Sequence, residues 1–140
     1  MNNISIFTDG GARGNPGPAA IGVYIVDDKG NKLAAIGKRI GEATNNTAEY
    51  KAVLAALSWL LENKQNLEKD AKISFFVDSQ LVYSQIKGIF KVKAESIREL
   101  VFTVREKQAQ LGLPLEWNHI AREKNKRADE LVNLALDNLL

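Results

Sequence analysis

The sequence predicts an α/β domain built on a mixed five-stranded sheet, three antiparallel strands followed by two parallel ones, with helices on both faces. Three observations lead there. Two β-branched and aromatic runs, Ile4-Ser5-Ile6-Phe7-Thr8-Asp9 and Ile73-Ser74-Phe75-Phe76-Val77-Asp78, echo each other, and both end in an aspartate. The first is followed by two more strand-like segments with short connections, the signature of a meander. From Asn46 the hydrophobic period lengthens to that of a helix, and a strand reached through a helical crossover returns parallel to the first.

The elements follow in order. Ile4 to Thr8 forms the first strand. The next stretch, Phe-Thr-Asp-Gly-Gly-Ala-Arg-Gly-Asn-Pro-Gly-Pro from Phe7 to Pro18, carries four glycines and two prolines and reads as an irregular turn with Asp9 at its entry. Such a segment either cradles a phosphate or interrupts the chain. A phosphate loop would end in Gly-Lys-Ser/Thr and open a helix, and here a strand follows. Ile21, Val23 and Ile25 alternate as that strand, Asp28-Lys29-Gly30-Asn31 turns the chain, and Lys32 to Ile40 returns. Tyr50, Val53, Leu54, Leu57, Leu60 and Leu61 then recur at helical spacing from Asn46 to about Lys64. Lys72 to Val77 is the sister strand. A short helix begins at Asp78 or Ser79 and runs through Ile86. Ala94 to Leu111 is a longer amphipathic helix ended by Gly112 and Pro114. Leu115 to His119 is the last strand, and Asn125 to Leu140 the last helix, with Leu131, Val132, Ala135 and Leu139 on one side.

Length and composition bound the function. A chain of 140 residues is most simply one domain, spanning 1–140, and is large enough for a real core. Its apolar runs fall short of the ~20 residues that a membrane span requires, and its start lacks the pattern of a secretion signal. A cytoplasmic monomer is expected. With no cysteine, disulfide frameworks and thiolate metal sites are ruled out. The net charge of +2 hides an asymmetry: residues 87–127 hold ten Lys/Arg against five acids, while residues 1–86 balance. That excess is either a solvated helix face or the footprint of a polyanion.

If the sister strands are parallel neighbours, Asp9 and Asp78 emerge together at the carboxyl edge of the sheet, where α/β proteins bind ligands. Two such acids repel, and a cation between them relieves the cost. Read singly, each acid also has a local role. Asn46-Thr47-Ala48-Glu49 fits a capping box with Glu49 as its third helical residue. Asp78 can cap the helix it precedes, Asp129 favours a helix N-terminus, and His119, the one histidine, can be structural at a strand end.

Four segments in order, FTDGGARGNPGP, NNTAEY, FVDSQLV and HIAREKNKRADELV, each around an acid, resemble the type 1 ribonuclease H family from Ile4 to about Ala135. The resemblance implies a ribonuclease H-like fold and an endoribonuclease. Such an enzyme hydrolyses the RNA strand of RNA/DNA hybrids, leaving 5′-phosphate and 3′-hydroxyl ends. It implies a carboxylate set Asp9, Glu49, Asp78 and Asp129 holding two Mg²⁺ ions, with Mn²⁺ as substitute. Asp9 and Asp78 would be the central ligands. Such an oxygen set suits hard cations. His119 matches the family's loop histidine, suited to proton transfer or product release. Where the family often has a second histidine, this chain has Arg122. Asn15, Asn45 and Gln80 fall at positions that contact sugars and base edges, and Asn46 belongs to the same substrate-binding segment. Thr44 and Asn15 match a DNA-phosphate pocket, and the backbone of Gly10 and Gly11 would approach the RNA.

The chain departs from many bacterial members between Ile86 and Arg98. The additional helix and basic loop that grip the hybrid are missing, and Lys87 to Lys93 runs almost directly into the next helix. Modest, salt-sensitive affinity is therefore expected. A non-catalytic nucleic-acid-binding module of the same fold is the alternative. It would be expected to have lost an acid, and none is missing.

Overall fold

The computed structural model describes residues 2–140. The expected architecture is present: one five-stranded sheet in the order β3-β2-β1-β4-β5, antiparallel across its first three strands and parallel thereafter. The strands are β1 (Asn3–Ala12), β2 (Gly17–Asp27), β3 (Lys32–Ala43), β4 (Lys72–Val77) and β5 (Leu115–His119). The helices are α1 (Asn45–Glu62), α2 (Gln80–Ile86), α3 (Glu95–Leu111) and α4 (Lys126–Leu136).

Side-chain alternation assigns the two faces. Ile4 and Ile6 of β1, Val23 and Ile25 of β2, and Ile73, Phe75 and Val77 of β4 bury themselves with Tyr50, Val53, Leu57 and Leu60 of α1 and Val101 and Val104 of α3. On the opposite face Ala20 meets Val132 and Ala135 of α4 in a smaller cluster.

The two echoing strands pair directly. β1 and β4 are parallel neighbours in the register Ile4↔Ile73 to Thr8↔Val77, so Asp9 and Asp78 are the next residues beyond the ladder on each strand.

Several boundaries differ from expectation. The glycine-rich stretch is mostly strand: β1 continues through Gly10 and Gly11 to Ala12, which pair with Ile21, Ala20 and Ala19. Only residues 13–16 turn, closed by Arg13 N–H donating to the Pro18 carbonyl at 2.8 Å. The reason is packing. A side chain on Gly10 would overlap the backbone of Ala48 and Glu49, and one on Gly22 would overlap the carbonyl of Ala128. Glycine here admits α1 and α4 close to the sheet rather than breaking the strands.

The last helix stops at Leu136 and not at Leu140. Asn138 adopts a left-handed conformation with φ 56°, which ends a right-handed helix, and its side-chain oxygen accepts from Arg39 at 2.6 Å. The α2–α3 connection is short, residues 87–94, as the missing insertion requires.

Candidate active site

At α1 and α2 the capping roles that the sequence left open to Glu49 and Asp78 fall to other residues, which frees both acids. The N-cap of α1 is Thr44, whose hydroxyl accepts from Thr47 N–H at 3.2 Å. Glu49 is thus five residues into the numbering from the cap, beyond any capping box, and its side chain is available to the cleft. The N-cap of α2 is Ser79, accepting from Val82 N–H at 3.2 Å, so Asp78 caps nothing.

Three of the four expected carboxylates converge. Asp9, Glu49 and Asp78 each present an oxygen, and these oxygens all lie within 4.8 Å of one another. They form the floor of a cleft of about 520 Å³ whose walls include Gly10, Gly11, Asn45, Asn46, Gln80 and Arg122. Asp129 lines the same cleft from the first turn of α4 but is exposed and stands outside the tight trio.

The electrostatics are those of acids gathered at a cost. Burial is the main reason that the Asp9 carboxyl rises from 3.8 to about 7. The Asp78 and Asp129 charges add to the rise, and hydrogen bonds from Glu49 and Gly10 oppose it. Glu49, only 7% exposed, is held well above the usual carboxylate range, again mainly by burial and then by the Asp9 charge. Its Oε2 is buried and has no hydrogen-bond partner among the described residues. An all-oxygen set, an orphaned buried carboxylate oxygen and mutually repelling charges are together the donor chemistry that a hard divalent cation satisfies. The residues therefore fit a divalent metal site.

The remaining expected residues divide by position. Gly10, Gly11, Asn45, Asn46 and Gln80 line the cleft. Thr44 and Asn15 sit beside it, in the cap and in the turn. Asn15 and Asn45 are locked in a relay in which Asn45 N–H donates to Asn15 Oδ1 at 2.9 Å and Ala12 N–H donates to Asn45 Oδ1 at 2.8 Å. Each amide keeps its N–H donors and a second lone pair on its oxygen, and of the two only Asn45 lines the cleft. His119 is exposed and does not line the cleft; its Nε2 lies 3.2 Å from the Asp78 carbonyl and its ring beside Tyr83. Arg122, on the 3₁₀ turn Arg122–Lys124, does line the cleft, with no ion pair among the described residues.

Sequence reasoning missed Asn125. It is 1% exposed, and its Nδ2 donates at 2.8 Å both to the Thr8 carbonyl and to Asp78 Oδ2. An asparagine just before a helix reads as a cap, and nothing in the sequence indicates that its side chain faces the sheet.

The profile of the reverse transcriptase-like family matches residues 7–135. A ribonuclease HI of Haemophilus ducreyi is 31% identical over 151 residues, covering 99% of this chain and 93% of that protein. The chain belongs to the ribonuclease HI family. A ribonuclease HI of Halobacterium salinarum is 40% identical over 136 residues, 96% of this chain and 64% of that protein. The chain spans only 35% of three mycobacterial proteins that it also matches. Among solved structures, that of LC11-RNase H1 in complex with an RNA/DNA hybrid superposes with a TM-score of 0.90 at 46% identity, covering 96% of this chain and 97% of that one. Membership in the ribonuclease HI family agrees with the resemblance carried by the four sequence segments and with the sheet order.

Proposed function

We propose that this ribonuclease HI-family chain is an endoribonuclease that hydrolyses the RNA strand of RNA/DNA hybrids, leaving 5′-phosphate and 3′-hydroxyl ends. The convergence of Asp9, Glu49 and Asp78 oxygens within 4.8 Å of one another carries the reading. The hybrid-bound relative of the same fold supports the substrate.

Asp9 and Asp78 would be the central ligands of two Mg²⁺ ions, with Mn²⁺ as substitute, and Glu49 and Asp129 would complete the set. Bound divalent ions supply activation of a water and neutralisation of charge on the leaving 3′ oxygen. The chain's own residues do the rest. The free amide donors of Asn15 and Asn45 meet 2′-hydroxyl oxygens and minor-groove acceptors, which is how an RNA strand is told from DNA. The unpaired guanidinium of Arg122 offers the strand phosphates a forked donor. His119, with Nε2 3.2 Å from the Asp78 carbonyl, would serve in proton exchange or product release.

The deciding assay uses end-labelled RNA/DNA, DNA/DNA and RNA/RNA duplexes with Mg²⁺ or Mn²⁺, for the wild type and Asp78→Asn. The hybrid's RNA strand should be cut, and Asp78→Asn should lower the rate by more than about 100-fold, beyond the range typical of groups that merely support a ligand. Cleavage by Asp78→Asn at the wild-type rate refutes the assignment. A wild type that binds hybrids and leaves them intact returns the non-catalytic module.

A further inference from the structure

We infer that Asn125 is a positioning residue that ties three acid-bearing elements together and orients the Asp78 carboxylate for the cation. The inference rests on the metal-dependent reading of the cleft and assigns a residue that the carboxylate set does not include.

The hydrogen bonds carry it. The β1–β4 ladder ends at Thr8↔Val77, one residue short of Asp9 and Asp78. At that point the Asn125 amide spans the two strands, giving one donor to the carbonyl of Thr8 in β1 and the other to Oδ2 of Asp78 beyond β4, each at 2.8 Å. Its main-chain carbonyl accepts from Asp129 N–H at 3.1 Å, the residue that carries the fourth acid on α4. The buried side chain thus joins the strand before Asp9 to the carboxylate of Asp78, and the main chain of the same residue begins the helix bearing Asp129.

The residue type is specific to that task. Asn125 sits at the N-cap of α4, yet its side chain makes no capping hydrogen bond there. Its position before a helix therefore does not explain the amide. Both acceptors, a carbonyl and a carboxylate oxygen, lack a proton to give, so the group between them must supply two donors. Of the side chains of this size, only asparagine does so without charge. The bond to Oδ2 leaves Oδ1 as the Asp78 oxygen without a protein donor among the described residues. Groups that orient a ligand in this way typically change metal affinity 10- to 100-fold when removed.

Isothermal titration of Mg²⁺ into metal-free wild type and Asn125→Ala, both checked as folded by circular dichroism, tests the inference. The alanine variant should bind Mg²⁺ about 10- to 100-fold more weakly. A dissociation constant within about threefold of wild type overturns the assignment. Asn125→Asp keeps the volume but presents oxygens where donors are needed, and it decides the matter if the alanine variant does not fold. Its kcat on the hybrid should fall about 10- to 100-fold with KM within about twofold, and a wild-type kcat overturns the assignment. The readouts separate the two levels of the argument. A wild type that binds Mg²⁺ and spares hybrids defeats only the activity, and an alanine variant that binds Mg²⁺ as tightly as wild type defeats only the role of Asn125.

Discussion

Replacing Asp9 by asparagine should abolish hydrolysis and, in the absence of metal, stabilise the fold. The structure gives the magnitude. Burial, with help from the Asp78 and Asp129 charges, lifts the Asp9 carboxyl from 3.8 to about 7. A raised carboxyl binds its proton more tightly when folded than when unfolded. The folded state is therefore favoured at low pH, and stability falls as pH rises from about 4 through about 7. Above that range the full cost of the buried charge is present. A shift of roughly three units at about 1.4 kcal/mol each sets a ceiling of roughly 4 kcal/mol. The Asp9 and Glu49 charges act on each other, which spreads that cost over the pair, so a gain of about 2 kcal/mol is the working expectation for Asp9→Asn at pH 8. Urea unfolding in EDTA at pH 4.5 and pH 8 reads it: the variant should exceed wild type at pH 8 and nearly match it at pH 4.5. Adding Mg²⁺ should close the gap by stabilising wild type alone. If Asp9→Asn is no more stable than wild type at pH 8 in EDTA, the view that the Asp9 charge is buried at a cost is wrong.

Other consequences can be read in parallel. Gly10→Ala forces a methyl into the backbone of Ala48 and Glu49. It should cost about 1–3 kcal/mol in denaturant unfolding, and weaken Mg²⁺ binding by moving Glu49 from Asp9; unchanged affinity would show that the close approach of α1 does not set the site. Asn45→Ala removes the acceptor that holds Ala12 N–H together with the donor proposed to meet the RNA strand. Its KM on hybrids should rise several-fold with cleavage still confined to RNA, and an unaltered KM in steady-state kinetics argues against the amide contact. If the excess of positive charge between residues 87 and 127 contributes to holding the hybrid, KM should climb steeply between about 50 and 200 mM salt; a flat titration removes the electrostatic account.

The parts of this fold legible in the sequence are those written as pattern. The helical crossover between the two echoing strands predicted that they run parallel, and the echo itself placed Asp9 and Asp78 at one sheet edge if they are neighbours; the register Ile4↔Ile73 to Thr8↔Val77 is what the structure adds. The long helices were legible from their apolar spacing, and the end of α3 from Gly112, which takes the left-handed conformation at φ 71°. What stayed hidden depends on through-space neighbours. Thr44, Asn45, Asn46 and Thr47 are four consecutive polar residues, and propensity cannot choose which of them caps α1. The close seat of Ala48 on Gly10 is a tertiary fact. Gly10 and Gly22 look like breakers in a sequence and act as contact points in a sheet. Asn125 shows the limit most clearly, since the same residue before a helix serves equally as an outward cap or an inward brace. At the cleft, the meeting of Asp9, Glu49 and Asp78 follows the expectation, while the looser placement of Asp129, the seat of His119 against the Asp78 carbonyl and the hydrogen bonds accepted by Asn15 and Asn45 were not legible.

The parallel register of β1 and β4 has a kinetic meaning as well as a geometric one. The central two acids emerge one residue past a ladder flanked by strands on both sides. Segments of that kind open only when the whole domain does, and their amides are typically the slowest to exchange with solvent. The separation of Asp9 from Asp78 is therefore as long-lived as the fold itself. Thermal inactivation should coincide with global unfolding rather than precede it, and softening of the outlying turns should change how a hybrid is gripped before it changes the floor on which it would be cut.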